Sequence, residues 1–444
     1  VDDRTDARAR RLPVPPAPAP SGPPDPATLA WVAEHLGDLL DRPVGASARF
    51  RGGQRSADAA LAACDLTGYA ADRSEVAPEH RRGATGLSPY VRHGLLGLPR
   101  LWRAAADAPA ADRDRFRDEL LWQEYARHLQ ARLGPRLGSA LRHEPVGEAL
   151  ATAAADPWER ARGAGMACVR DALAELDRDG WLVNQARMWI ASQWAVRDRV
   201  DWRAGEDRLF RELVDGSRAA NRLGWQWVAG TATGRPYGFS RAQVERRAPG
   251  TCAGCALADA CPIEDWPEDP PLVAAEREPL LRDDPDPTAS AGPRAVERDP
   301  VDDAEPEAVW LTAESLGDAD PALAAHPDRT AVFVFDVPLL ARLRLAPRRL
   351  VFLAECLADL ATRHEVEVWR GDVVATLEGR ALAVTHAPVP GFRRRAARLR
   401  IVERHPWPWL RRPAGGPLGS FSAWRTRLDR GAGRSARAPS GPRA

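Results

Sequence analysis

Residues Trp181–Gly234 read W-L-V-N-Q-A-R-M-W-I-A-S-Q-W-A-V-R-D-R-V-D-W-R-A-G-E-D-R-L-F-R-E-L-V-D-G-S-R-A-A-N-R-L-G-W-Q-W-V-A-G-T-A-T-G. The stretch has helical character and is rich in Trp. It also sets Asn184, Arg187, Asp215 and Asn221 among apolar neighbours. Polar groups in such places must be paired or must hold a ligand, because an unpaired buried amide or charge is costly. A large planar ligand with amide-like edges would satisfy the aromatics and the amides together. An ordinary Trp-rich core gives no reason for the Asn and Arg spacing or for the W-Q-W.

The chain around this stretch has 444 residues, enough for two or three domains with cores of their own. Its hydrophobic content of 44% is that of a soluble globular protein. No run approaches the ~18 apolar residues of a membrane span, and the first residues do not read as a signal peptide. A cytoplasmic protein without a membrane partner is therefore expected. The net charge of +1 gives no global argument for nucleic acid, although a local basic face could. All 63 basic residues are Arg, which with the abundant Ala, Pro and Gly reads as the bias of a GC-rich genome. The 6 cysteines are too few and too unevenly spaced for a secreted disulfide scaffold.

Composition divides the chain. Residues 1–26 are Pro- and Ala-rich and read as a disordered leader. Helical periodicity starts near Ala27, with Leu29, Val32, Leu36, Leu39 and Leu40 on one face, and runs to about Gly250. The first domain, 27–263, is thus nearly all α. Residues 264–306 read as an acidic, Pro-rich linker. The pattern then changes. Ala331–Phe335, Glu365–Trp369 and Ala381–Thr385 read as strands and Leu350–Leu360 as a helix, which implies a parallel sheet with crossover helices over 307–428. Residues 429–444 read as a disordered tail.

The order N-x-x-R-M, then D-W-R-x-G-E, then D-G-x-x-A-x-N-x-x-G-W-Q-W closely resembles the flavin-binding core of the photolyase/cryptochrome family. The resemblance implies a helical FAD-binding domain followed by a Rossmann-like α/β domain with a parallel sheet, similar to the family's antenna-type domain but placed after the flavin domain. It implies that Tyr69 and the G-A-T-G-L-S-P-Y loop, through Thr85, Gly86, Leu87 and Ser88, hold the FAD phosphates. A hydroxyl-bearing helix start with Pro89 suits that task, since free N–H groups there attract phosphate. Asn221 would lie near the flavin N5, Arg187 would pair with Asp215 beside the ring, and Asn184 completes the set. Ser217 stands where the family has a second Asp, and Ala84-Thr85 where it has Thr-Ser. Ser315-Leu316-Gly317 replaces an Asp-Leu-Arg element, which weighs against an antenna chromophore.

The same resemblance makes Glu119 and Trp122, three apart on one helix face, the wall that meets a flipped pyrimidine photoproduct in damaged DNA. A solvated Glu and a core Trp are the plain alternative. Trp225 and Trp202 match two members of the family's electron-carrying Trp chain, with Trp189, Trp194 or Trp227 open as the third. The implied activity is light-driven, FAD-dependent photolyase-type repair. A cryptochrome-like photosensor and a flavin-free DNA-binding relative are the alternatives.

Cys252, Cys255 and Cys261 are clustered, and in a cytosolic chain such a cluster reads as metal ligands more than as disulfides. Cys168, in G-M-A-C, is the candidate fourth. The pattern resembles the family's iron–sulfur subgroup, which implies a [4Fe–4S] cluster on these four thiolates. Zn²⁺, or no metal at all, stays open. Cys64 and Cys356 read as core.

Overall fold

A computed structural model describes residues 8–17, 22–146, 156–267 and 269–435, with side chains up to 429. Nine strands occur among them. They are β1 (Arg10–Leu12), β2 (His143–Pro145), β3 (Leu272–Ala274), β4 (Glu297–Arg298), β5 (Ala308–Leu311), β6 (Thr330–Asp336), β7 (Val366–Gly371), β8 (Leu382–Thr385) and β9 (Ile401–His405). Seven form one sheet in the order β1-β7-β6-β5-β8-β9-β4. The five central strands run parallel, and β1 and β4 add antiparallel edges. Parallel strands are buried on both faces and so read as unbroken apolar runs. Ala-Val-Trp-Leu in β5 and Leu-Ala-Val-Thr in β8 are fully buried in this way. The strand order reverses between β5 and β8, which opens a crevice beyond their C-terminal ends.

The rest is mostly helical. Its longest helix is Ala110–Leu133, and its helices Asn184–Ser192, Trp202–Glu212 and Arg218–Val228 carry the Trp-rich stretch. Asp201 and Ser217 cap the last two by accepting from Arg203 N and Ala220 N. One apolar core runs without a break from Trp31, Trp189 and Trp225 to Val309, Phe333 and Phe352. The helix Pro347–Leu360 is buried along its whole length between the halves.

That helix explains the Phe50–Gln54 stretch. Gly52 N–H donates to Glu355 Oε2 at 2.6 Å and Gln54 N–H to Asp359 Oδ2 at 2.8 Å. Gly53 N–H donates to Cys356 Sγ at 3.2 Å. Two acidic side chains from the α/β half thus accept from the free N–H groups at the start of the helix Gln54–Ala62. A Cβ at Gly52 would collide with the Phe352 carbonyl, and Gly53 has φ +104°. The Gly pair lets the two halves touch backbone to backbone.

Three segments differ from the sequence expectation. The leader is not wholly irregular. Arg10–Leu12 completes the sheet as β1, with Leu12 opposite Val368. An open sheet edge offers unpaired backbone groups, and three residues suffice to cover it whatever the surrounding composition. The acidic segment 264–306 is not a free linker. It supplies β3 and β4, and it buries Asp284 against Arg132 at 3.3 Å. Its acidity answers an Arg on the helix Ala110–Leu133, a partner that local composition does not show. The tail begins as a helix, Phe421–Ser435, with Arg425 on Asp118 at 2.7 Å. Residues 436–444 lie outside the described set, as do residues 1–7 and 18–21 of the leader. Among the described residues no helix is long and apolar enough to cross a membrane.

Candidate functional site

A cavity of about 1210 Å³ lies between the helical half and the C-terminal edge of the parallel sheet. The loop before the helix Ser88–Arg92 brings Thr85, Gly86, Leu87 and Ser88 to it, with Tyr69 beside them. Gly86 has φ +69°, so the chain turns there through a conformation that a side chain would strain. Ser88 Oγ accepts from Trp181 Nε1 at 2.9 Å, which ties this loop to the Trp-rich stretch. Burial raises the Tyr69 phenol well above its ordinary value, with the Glu119 carboxylate adding to the rise.

Asn184, Arg187, Asp215, Ser217 and Asn221 line the same space. Arg187 Nη2 donates to Asp215 Oδ2 at 2.8 Å, the pair that the sequence led us to expect. Its Nε donates to Leu182 O at 2.9 Å, so the guanidinium is fixed. The other oxygen of Asp215, Oδ1, is buried without a partner, as is Nη1 of Arg349 in the same wall. Buried polar atoms left this way are what a polar ligand satisfies. Asn184 turns its amide nitrogen to Met188 Sδ at 3.4 Å.

Asn221 is held by a residue to which the sequence reading gave no role. Its Nδ2 donates to Glu206 O at 2.9 Å and to Glu206 Oε1 at 2.8 Å. Glu206 is itself buried against Arg218 at 2.7 Å. Burial raises the Glu206 carboxyl, and Arg218, Arg222 and Asn221 oppose the rise. With its nitrogen committed, Asn221 keeps its amide oxygen for a ligand. The signal was present as the last letter of D-W-R-A-G-E. Arg349 was also missed. Its Nη2 and Arg92 Nε both donate to Gly216 O at 2.7 Å, one from each half, and fix the Asp215–Ser217 loop. Nothing local marks Arg349, because its partner is 133 residues away.

Glu119 and Trp122 line the cavity from the helix Ala110–Leu133. Glu119 is 43% exposed and takes Arg73 Nε at 3.1 Å. Trp225 is buried, and the rings packed on it are Trp194 and Trp158, each 6.4 Å away. Trp158 and Trp194 meet at 5.2 Å. Gly205 permits this, since a Cβ there would collide with Trp225. Trp202 is equally buried but does not line the cavity. Trp194 was one of three candidates for the third ring. Trp158 was overlooked, although an Asp156-Pro157 helix start directly before it places it in the core. Trp189 stacks on Phe239, and Trp227 lies on the surface over Tyr237.

The cysteines meet elsewhere. Cys168, Cys252, Cys255 and Cys261 line a small cavity of about 20 Å³ with Met166, Leu257 and Ile263. Burial, then the neighbouring Cys252, pushes the Cys168 thiol up to about 12. Burial and Glu245 also raise Cys252. Among the described residues no three of these sulfurs lie within 4.8 Å of one another. One tetrahedral Zn²⁺ would draw them to about 3.8 Å. Cys356 is buried and Cys64 partly so, outside this group.

Residues 116–244 match the family model described as the FAD binding domain of DNA photolyase. The deoxyribodipyrimidine photo-lyase of Synechococcus sp. is 35% identical over 162 residues, 33% of this chain and 32% of that one. That of Vibrio cholerae is 32% identical over 167 residues, 35% of each. A bacterial class III photolyase structure from Agrobacterium tumefaciens superposes with a TM-score of 0.34 at 27% identity, over 47% of this chain and 41% of that one. The chain thus spans about a third of the length of the curated relatives it matches. The matched residues all lie in the helical half, which is similar there to the FAD binding domain of DNA photolyase.

Proposed function

We propose that this protein is a light-driven, FAD-dependent photolyase that splits pyrimidine photoproducts in damaged DNA and acts in the cytoplasm. The observation that carries the reading is the continuity of one cavity from Asn221, Arg187 and Asp215 to Glu119 and Trp122. FAD bound there in reduced form would supply the electron that splits the lesion under light. The chain's own groups have separable tasks. The Arg187–Asp215 pair sets a fixed cation beside an anionic ring. Asn221, its nitrogen held by Glu206, offers an acceptor to a ring N–H. Tyr69 and Thr85 to Ser88 take the phosphates, and Asn184 and Ser217 take the remaining polar edge. Trp122 offers a face for a flipped base, and Glu119 a hydrogen-bonding carboxyl. Trp225, with Trp194 and Trp158 against it, forms the route for reducing electrons, and Trp202 is a further buried ring for that route. The α/β half, doubly wound in the Rossmann-like order, closes the cavity with its switch-point edge.

In the same reading Cys168, Cys252, Cys255 and Cys261 hold a [4Fe–4S] cluster. Its support is the convergence of the four cysteines on one small, mostly apolar pocket. A photosensor without repair is the second reading, favoured by one contact. The Arg73–Glu119 pair occupies the carboxylate that a lesion would need.

The test is anaerobic purification, an absorption spectrum, and illumination with a DNA oligonucleotide carrying a thymine dimer. Flavin bands and light-dependent loss of the dimer are expected. Flavin without repair selects the photosensor. A colourless protein sinks both readings and leaves a flavin-free DNA-binding relative.

A further inference from the structure

We infer that His326, Glu403 and His405 form a divalent-metal site on the α/β half, apart from the large cavity and from the cysteine pocket. Nε2 of His326 lies 2.7 Å from Glu403 Oε1, and Nε2 of His405 lies 2.6 Å from the same oxygen. The three donor atoms all fall within 4.8 Å of one another. Each is carried by fixed backbone. Glu403 and His405 are two apart on β9 and so project from one face. His326 caps the end of the helix Pro321–Ala325, its N–H donating to Ala322 O at 3.2 Å. Asp320 pins the start of that helix. It accepts from Ala322 N and Leu323 N at 3.1 Å and from Thr385 Oγ1 on β8 at 2.8 Å.

The donor set selects the ion. Two imidazoles and one carboxylate suit Zn²⁺ and its first-row neighbours, and not Mg²⁺ or Ca²⁺, which want oxygen. The second oxygen of Glu403 faces Arg298 Nη2 at 3.2 Å, as ligating carboxylates are commonly held from outside. Without an ion, both imidazoles must carry a proton on Nε2 and aim it at one oxygen. An ion bound at Nε2 leaves each imidazole as its Nδ1–H tautomer and removes that crowding. Ligand distances of about 2.1 Å require donors roughly 3.4 Å apart, so the three must spread by less than about 1 Å. His326 can yield most readily, with 14% of its side chain exposed against 5% for Glu403 and 2% for His405. The ion would staple the Pro321–Ala325 helix to β9, and so it would stabilise the folded chain alone.

The test strips the full-length protein with a chelator, adds ZnCl₂, and measures bound zinc and the melting temperature. It compares wild type with His326→Gln, which keeps an N–H to donate to Glu403 but loses the ligand nitrogen. Any zinc taken by the cysteine pocket is common to both and cancels. Wild type is expected to hold one zinc ion per chain more than the variant and to melt higher with zinc. The variant should melt like wild type when metal-free. Equal zinc content, or an equal zinc-dependent melting shift, overturns the proposal and makes the trio a hydrogen-bonded cluster only.

Discussion

The large cavity takes its walls from both halves of the chain, from Tyr69 to Trp407, whereas the cysteine pocket takes all of its walls from residues 166–263. The first is roomy and lined by charged and amide groups. The second is small and mostly apolar apart from its sulfurs and Arg241. A local pocket needs only one helix start and one loop to be in place. A composite cavity also needs the seam between the halves, at Gly52–Gln54 and at the Gly216 carbonyl. The two sites should therefore fail separately, and substitutions can tell whether they do.

The largest effect is expected from Arg187→Ala. It leaves Asp215, whose side chain is 4% exposed, as an unpaired buried charge. The expected outcome is loss of bound flavin absorbance and a destabilisation of about 3 kcal/mol in urea unfolding. Retention of flavin by this variant would break the account of the cavity. Glu119→Gln should cut repair roughly 100-fold while flavin content and stability stay as in wild type, because the carboxyl is half exposed. Equal repair rates would return Glu119 to the role of a solvated partner of Arg73.

Cys168→Ser bears on the other site. Bound iron should fall from about four per chain to a small fraction, with flavin retained, as iron analysis and the visible spectrum would report. Loss of both cofactors together would mean that the sites are coupled. Gly52→Ala attacks the seam instead. Its Cβ meets the Phe352 carbonyl, so a cost of about 1–3 kcal/mol is expected, with weaker flavin binding and unchanged iron.

The smallest effect concerns pH. Burial pushes Glu355 from its ordinary 4.5 up to about 7, against the opposing Gly52 N–H. The folded chain then holds this proton more tightly than the unfolded one. The contribution is complete below about pH 4.5 and is lost as pH rises through about 7. Glu355→Gln should flatten the pH dependence of melting across that window. An unchanged slope would place the dependence on another buried group, such as Glu124, which burial also raises to about 7.

Legibility followed the range of the interactions. The Arg187–Asp215 pair and the gathering of Asn184, Asn221 and the 85–88 loop were expected because their motifs resemble those of the photolyase/cryptochrome flavin core, and the structure brings them to one cavity. The convergence of the four cysteines was readable from thiol chemistry, although Cys168 is 84 residues or more from the others. The acidic segment was misjudged because Asp284 is explained only by Arg132. The leader was misjudged because Arg10–Leu12 is a strand only beside β7. Glu206 stood in a quoted motif without a role, since its hold on Asn221 is a matter of orientation.

By itself, then, the sequence determined the helical half and the parallel strands of the second half, while its family resemblance pointed to the cavity-lining residues and the cysteine set. Helical and strand periods and residue chemistry are local properties, and they survive being read one window at a time. Tertiary structure alone decided that β5 to β9 wind as 3-2-1-4-5 counted from β5, and that Glu355 and Asp359 close the seam. It also decided that Arg349 reaches the Asp215–Ser217 loop, and that His326 meets Glu403 across 77 residues. Those pairings are set by packing free energy summed over the whole core, and no window of sequence contains it.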